Sequence, residues 1–156
     1  MKTLSRSSTE ALRRSLANLR ASGLGDKSLT QAIQSLCADA GRRTGLIIDC
    51  QIAPGADALP PAVAEALWHV AQEGLTNIEK HAQARHVVVS LSLQPQLALL
   101  RVSDDGAGLP PDAEGKPGHY GLRGLRERVE GLGGTLLLTS AQTKGAFIEA
   151  RVRLIA

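Results

Sequence analysis

The chain has 156 residues, 43% of them apolar, which is enough for the buried core of one domain. It holds only one Trp, one Tyr and one Phe, so the base-stacking surfaces of single-strand nucleic-acid binders are missing. The net charge of +3 is spread without a dense basic run and suits a phosphate ligand as well as a polyanion. We therefore expect one active site and no nucleic-acid partner.

Cys37 and Cys50 lack the spacing of metal ligands, and we expect both to be buried free thiols. The sequence shows neither a secretory signal nor an apolar run of membrane-spanning length. We expect the chain to be cytoplasmic and to make no direct membrane contact, although a parent protein could be anchored in the inner membrane.

The first predicted elements are two helices and a strand. Apolar residues at helical spacing predict a helix over residues 3–21, which ends before Gly23. A second helix begins after Ser28, a suitable N-cap, and ends between Gly41 and Gly45. Residues 46–52 then predict a strand, and residues 54–61 a connecting loop.

The strongest helical pattern runs from Pro61 to residue 82. After it, residues 86–93 and 97–102 predict two strands joined by a tight hairpin. Residues 104–121 are rich in Gly and Pro and predict an exposed, mobile loop. A helix over residues 122–132 and strands over 135–139 and 146–154 complete an α+β fold, a two-layer α/β sandwich whose mixed sheet has its helices on one face.

The long helix carries a polar stripe formed by Glu73, Asn77 and either Lys80 or His81. An Asn carbonyl oxygen is a good ligand for Mg²⁺, and a Glu one turn earlier could orient or deprotonate an attacking group. A solvated helix face is the alternative interpretation. We expect two small residues that interrupt the stripe to let a ligand approach, namely Gly74 and Thr76.

Two glycine-containing segments follow. Residues 104–108, Asp-Asp-Gly-Ala-Gly, come directly after a strand and could bring main-chain N–H groups close to a ligand, although an ordinary turn has the same composition. They lack the ligand pattern of a calcium loop, and the chain has no P-loop. Residues 118–128 lead into a helix whose N-terminus could bind an anion, or form an ordinary glycine-hinged helix start.

As a set, these motifs resemble those of the GHKL ATPases, the Bergerat-fold group of histidine kinases, gyrase-type topoisomerases, mismatch-repair ATPases and heat-shock chaperones. Residues 73–82 resemble the N box, 104–108 the first glycine box and 118–128 the second. Residues 72–77 and 121–128 fit the sensor-kinase branch that pairs with LuxR-type response regulators, with Leu125 replacing Met. The resemblance covers residues 28–156.

This resemblance implies that ATP and Mg²⁺ bind to the chain. Asp104 would accept a hydrogen bond from the adenine amino group, and Asn77 would hold Mg²⁺. Lys80 and His81 would contact phosphate. The remaining residues that the family places around the nucleotide pocket and its lid correspond to Gly106, Gly108, Gly118, Gly121, Leu122 and Gly145.

Two assignments depart from the family pattern or leave alternatives open. In family members that hydrolyse ATP, the glutamate equivalent to Glu73 activates water. In histidine kinases the receiving imidazole is already a nucleophile, and the glutamate could serve simply to orient it. Ala146 stands where the family usually has a Thr whose hydroxyl lies near adenine.

The resemblance implies a histidine protein kinase whose phosphoacceptor histidine is absent from this chain. Residues 1–60 hold no His followed by an acidic residue, and we expect residues 1–24 to be the tail of a dimerisation hairpin, followed by the catalytic domain at 28–156. The partners would be the phosphoacceptor helix of the parent kinase and a response regulator. An anti-sigma-type serine kinase of the same fold, or a regulatory domain that has lost nucleotide binding, are the alternatives.

Overall fold

The computed structural model describes Leu24 and residues 27–107, 120–140 and 145–154. The α-helices are α1 (Leu29–Thr44), α2 (Pro61–Asn77) and α3 (Tyr120–Gly131), and the strands are β1 (Ile47–Ile52), β2 (His86–Gln94), β3 (Leu97–Asp104), β4 (Thr135–Ser140) and β5 (Ala146–Arg153). A 3-10 turn at Ala56–Ala58 precedes α2, and a π-helical turn at Ile78–Ala82 follows it. The helix predicted over residues 3–21 lies outside the described residues.

The described strands form one sheet in the order β1-β2-β3-β5-β4. β1 is parallel to β2, and the other neighbouring pairs are antiparallel, which confirms the predicted mixed sheet. The hairpin between β2 and β3 is also confirmed, because Gln94 pairs with Leu97 across a two-residue turn. In that turn Pro95 precedes Gln96, whose φ is 72°, a combination typical of a type II turn.

The core lies between the helices and one face of the sheet. Side chains alternate along β3, so Ala98, Leu100 and Val102 are buried on the face that α2 covers. The apolar residues that give the helical pattern between Pro61 and residue 82 are buried as well: Val63, Leu67, Val70, Ala71, Leu75 and Ile78. This arrangement confirms the two-layer α/β sandwich.

The outer face of the sheet carries an ion-pair cluster across β3 and β5. Glu149 is only 3% exposed, and its carboxylate accepts hydrogen bonds from Arg101 Nε at 2.9 Å and Arg151 Nε at 2.8 Å. The Arg101 guanidinium also lies over the Phe147 ring, 4.0 Å from its centroid. Side chains of the sheet itself therefore cover this part of the outer face.

Local signals explain where α1 begins and ends. The Ser28 hydroxyl accepts a hydrogen bond from Gln31 N at 3.2 Å, and the Gln31 side chain accepts one from Ser28 N at 3.4 Å. This capping box fixes the first turn at the predicted residue. No helix among the described residues is long and apolar enough to cross a membrane.

Candidate functional site

Gly74 determines how closely α2 lies on the sheet. A Cβ at this position would lie 3.0 Å from Ile148 Cγ2 and 3.1 Å from Val102 Cβ, two residues that pair in register between β3 and β5. Gly74 is therefore buried against the sheet, and the expectation that it leaves room for a ligand is wrong. Thr76 is half-buried, and its hydroxyl donates to the Gln72 carbonyl at 2.9 Å.

Glu73 directly precedes Gly74 on α2, and Asn77 is the last residue of that helix. Both residues are half-buried and stand four positions apart, a spacing that puts them on one helix face. Neither side chain makes a hydrogen bond to another part of the described structure. α2 therefore carries a carboxylate and an amide one turn apart on one face.

The helix changes its geometry at Asn77. Residues 61–82 were expected to be one α-helix, but the chain continues beyond Asn77 as a π-helical turn over Ile78–Ala82. In a π-helix the hydrogen bonds span five residues, so the spacing on which Lys80 or His81 was placed beside Asn77 no longer applies. The Lys80 side chain is exposed, whereas that of His81 lies outside the described residues.

The π-helical turn is also tied to α1. Glu79, its second residue, is half-buried and pairs with Arg43 near the end of α1 at 2.5 Å. This ion pair, which the sequence patterns did not indicate, holds the chain directly after Asn77 against the neighbouring helix.

Asp104 ends β3 on the face that carries α2. It lies two residues beyond Val102, about 7 Å along the strand. Its carboxylate accepts hydrogen bonds from the Gly106 N–H, at 2.7 Å, and from the Ala146 N–H. Burial raises the pKa of Asp104 and the charge of Asp105 adds to this, while the two N–H donors act in the opposite direction. The Asp104 carboxylate is thus oriented by the backbone on two sides.

Gly145 lies directly against Asp104. Its φ is +87°, and a Cβ on it would stand 1.9 Å from the Asp104 carbonyl oxygen. Gly106, which donates to the Asp104 carboxylate, is also buried. Of the predicted pocket residues, the structure therefore brings Asp104, Gly106 and Gly145 together.

Asp105 has a separate, structural role that the sequence motif did not indicate. Its carboxylate accepts hydrogen bonds from Arg85 N at 2.9 Å and His86 N at 3.0 Å, and it lies 3.1 Å from His86 Nδ1. These bonds, with the two backbone donors contributing most, hold the pKa of Asp105 far below its ordinary value. Asp105 therefore fastens the turn after β3 to the start of β2. Successive residues of a strand point to opposite faces of the sheet. This alternation along β3 was the sequence signal that could have predicted different roles for Asp104 and Asp105.

The second glycine segment is described only in part. Gly108 and Gly118 lie outside the described residues, and Gly121 belongs to the first turn of α3. Leu122 is 3% exposed and packs in the core with Leu125. The structure thus shows Leu122 anchoring the start of α3.

A small charged cluster joins α3 to α2. Arg128 Nη1 lies 3.8 Å from Glu65 Oε1, and His69 Nε2 lies 3.7 Å from the same oxygen. Burial lowers the pKa of His69 and the nearby Arg128 charge lowers it further, so the imidazole is neutral at pH 7. Glu65 and His69 precede Glu73 on α2 at four-residue spacing, so this cluster lies on the same helix face as the candidate site.

Comparisons with known proteins agree with this architecture. Residues 62–155 match the family described as histidine kinase-, DNA gyrase B-, and HSP90-like ATPase. The chain is 39% identical over 131 residues to the signal transduction histidine-protein kinase/phosphatase UhpB of Salmonella typhimurium, covering 83% of this chain and 26% of that protein. It is 35% identical over 133 residues to the sensor histidine kinase MctS of Rhizobium johnstonii, covering 84% of this chain and 29% of that protein.

Among solved structures, the blue-light activated histidine kinase of Erythrobacter litoralis EL346 has the same fold, with a TM-score of 0.70 at 23% identity, over 95% of this chain and 50% of that chain. The chain spans between a quarter and a third of the length of UhpB and MctS.

Proposed function

The chain belongs to the family of histidine kinase-, DNA gyrase B- and HSP90-like ATPases, and on that premise we propose that it is the ATP-binding catalytic part of a sensor histidine kinase. It presents the γ-phosphate of ATP to a histidine on a separate helix of the parent protein, from which the phosphoryl group passes to a response regulator of the LuxR type. The names of the similar proteins UhpB and MctS support this proposal. The proposal places the catalytic part in the cytoplasm, within a parent protein that can be anchored in the inner membrane.

The observation that carries the proposal is the position of Asp104. An ionised carboxylate has about four acceptor sites, and the N–H groups of Gly106 and Ala146 use only part of them. The remaining capacity suits a donor such as the adenine amino group. Because Asp104 is half-buried and oriented from two sides, it can select a ligand that donates a hydrogen bond at that point.

The triphosphate then extends toward α2. Asn77 offers a hard amide oxygen, half-buried beside the Glu73 carboxylate, and oxygen donors of this kind fit Mg²⁺. When bound, Mg²⁺ neutralises charge on the phosphates. In this proposal Lys80 and His81 contact phosphate, and the residues that shape the pocket and its lid are Gly106, Gly108, Gly118, Gly121, Leu122 and Gly145.

Glu73 acts at the phosphate end of the site. The accepting imidazole is already a nucleophile, so Glu73 needs only to orient it, and catalysis comes from positioning and charge neutralisation. We expect the chain alone to bind nucleotide and to turn it over slowly.

The experiment that tests the proposal is calorimetric titration with a non-hydrolysable ATP analogue, with and without Mg²⁺. The wild-type chain should bind saturably and more tightly with Mg²⁺, Asp104→Asn should lose binding, and Asn77→Ala should lose the effect of Mg²⁺. Asp105→Asn is the matched control and should leave affinity nearly unchanged, because in the described part of the structure the Asp105 carboxylate bonds to the backbone of Arg85 and to His86. Equal losses in the two aspartate variants, or no binding by the wild type, would overturn the assignment.

A further inference from the structure

Arg42 and Arg43 are neighbours at the end of α1, but they pair with different parts of the chain. Arg42 pairs with Asp39, three positions earlier on the same helix, and both of these side chains are more than half exposed. Arg43 Nη2 lies 2.5 Å from Glu79 Oε1, 36 residues further along the chain, and the Glu79 side chain is only 20% exposed. Of these two ion pairs, the second therefore joins two separate elements of the fold.

Glu79 belongs to a short segment with unusual backbone geometry. The π-helical turn Ile78–Ala82 follows α2 directly, and Gln83, which ends it, has a φ of 51°. Turns of this type are rare and often occur at functional sites, and a positive φ is uncommon outside glycine. Ile78, the first residue of the turn, is buried in the core, whereas Lys80 is exposed. The contacts of the first two residues therefore hold the turn and leave Lys80 open to solvent.

We propose that Arg43 is a positioning residue for the phosphate end of the nucleotide site, and that it acts through Glu79 on the π-helical turn. This inference rests on the function proposed above, in which Asn77 holds Mg²⁺ and Lys80 contacts phosphate. Asn77 is the residue before the turn, and Lys80 directly follows Glu79. An ion pair at Glu79 therefore restrains the backbone that carries both of these side chains.

α1 gives Arg43 a firm support. The helix packs on both β1 and α2, and its buried residues include Ile33. Its last turn is closed by the Gly45 N–H, which donates to the Gly41 carbonyl at 2.9 Å. A cation in the last turn of a helix also interacts favourably with the helix dipole. Because its guanidinium is engaged with Glu79, Arg43 acts on the turn and not directly on a phosphate.

The first test needs no ligand. Backbone hydrogen exchange should be faster in the π-helical turn of Arg43→Gln than in that of the wild type, by about two- to fivefold for a partly exposed ion pair. Arg42→Gln is the matched control, because it removes the same charge from the same end of α1 but breaks a pair within that helix. The control should leave exchange in the turn unchanged. Equal exchange in the two variants would overturn the link between Arg43 and the turn.

The second test measures affinity by calorimetric titration. Arg43→Gln should bind a non-hydrolysable ATP analogue with Mg²⁺ about two- to fivefold more weakly than the wild type, because the turn is less firmly held. Its affinity for adenosine, which has no phosphate, should stay unchanged. Arg43→Lys keeps the charge and should restore most of the affinity for the analogue, and Arg42→Gln should bind like the wild type. A general loss of folding would weaken the binding of both ligands.

The possible outcomes distinguish this positioning role from the proposed function. If the wild type binds the analogue and Arg43→Gln binds it equally well, Arg43 does not position the phosphate end, and the proposed function stands. Equal weakening of analogue and adenosine binding would show a general structural role, and equal weakening by Arg42→Gln would show an effect of net charge. Either result would overturn the positioning role. A wild type that binds neither ligand would overturn both the positioning role and the proposed function.

Discussion

The backbone of Gly145 passes so close to Asp104 that a Cβ at position 145 would lie 1.9 Å from the Asp104 carbonyl oxygen. The next residue, Ala146, donates its N–H to the Asp104 carboxylate. One short stretch at the start of β5 therefore supports both the backbone and the side chain of Asp104. The requirement for glycine at position 145 is structural, whatever ligand the site takes.

Replacing Gly145 with Ala should destabilise the chain by at least about 2 kcal/mol, because a strained positive φ is combined with a steric overlap. Gly133→Ala is the matched control, since Gly133 has a φ of +78° but a Cβ added to it would meet no atom within 4 Å. Gly133→Ala should lose only the stability that a side chain at positive φ costs, about 1 kcal/mol. Urea unfolding measures both, and equal losses would show that contact with Asp104 is unimportant.

Gly74→Leu should destabilise the chain by about 1–3 kcal/mol, because the new side chain forces α2 away from Val102 and Ile148. Gly124→Leu, on the exposed face of α3, meets no atom within 4 Å of its Cβ and should be neutral or stabilising. Chemical denaturation again provides the measurement. A Gly74 variant as stable as the Gly124 variant would mean that the helix does not depend on this close contact.

The sequence predicted the fold well where the signal is periodic. The spacing of Val63, Leu67 and Val70 indicated the buried face of α2, and that face packs on the sheet as expected. The π-helical turn at Ile78–Ala82 was missed because its apolar residues still fit α-helical spacing. A π-helix differs from an α-helix in that each backbone hydrogen bond spans one more residue, and the periodicity of side chains does not show this difference.

The candidate site was predicted in its residue types more than in its contacts. The motif made Asp104 a candidate for the site. The different contacts of Asp104 and Asp105 depend on where β2 begins, which the motif does not show. The role of Gly145 depends on β5 lying beside β3, a pairing between segments far apart in the sequence. Gly74 was wrongly expected to face a ligand, because helical spacing does not show which neighbouring element packs against a small residue.

Asp105→Asn should lower the free energy of unfolding at pH 7. It should also make that free energy depend less on pH under acidic conditions. The pKa of Asp105 is depressed in the folded chain, so its stabilisation is full above the unfolded value of about 3.9 and is lost as the pH falls toward the folded value. The wild type should therefore lose more stability than the variant between about pH 5 and about pH 2. Thermal unfolding midpoints across this range provide the measurement.

The control for this pH effect is Asp39→Asn, which removes the same charge from an exposed ion pair with Arg42 on α1. Surface pairs of this kind contribute little, so the midpoint of this variant should follow the wild type at each pH. If Asp105→Asn also followed the wild type, the bonds to Arg85 and His86 would not stabilise the turn.

Ala146→Thr should strengthen nucleotide binding if the proposed adenine position is right. Ala146 is 6% exposed, lies on the same strand face as Ile148 and donates its N–H to Asp104, so a hydroxyl added there would stand beside both the carboxylate and the base. One hydrogen bond contributes about 0.5–1.5 kcal/mol, or roughly two- to tenfold in affinity. Ala146→Val has the same shape without the hydroxyl and should give no gain in calorimetric titrations. A gain shared by both variants would assign the effect to packing, and no gain from Thr would place the base away from β5.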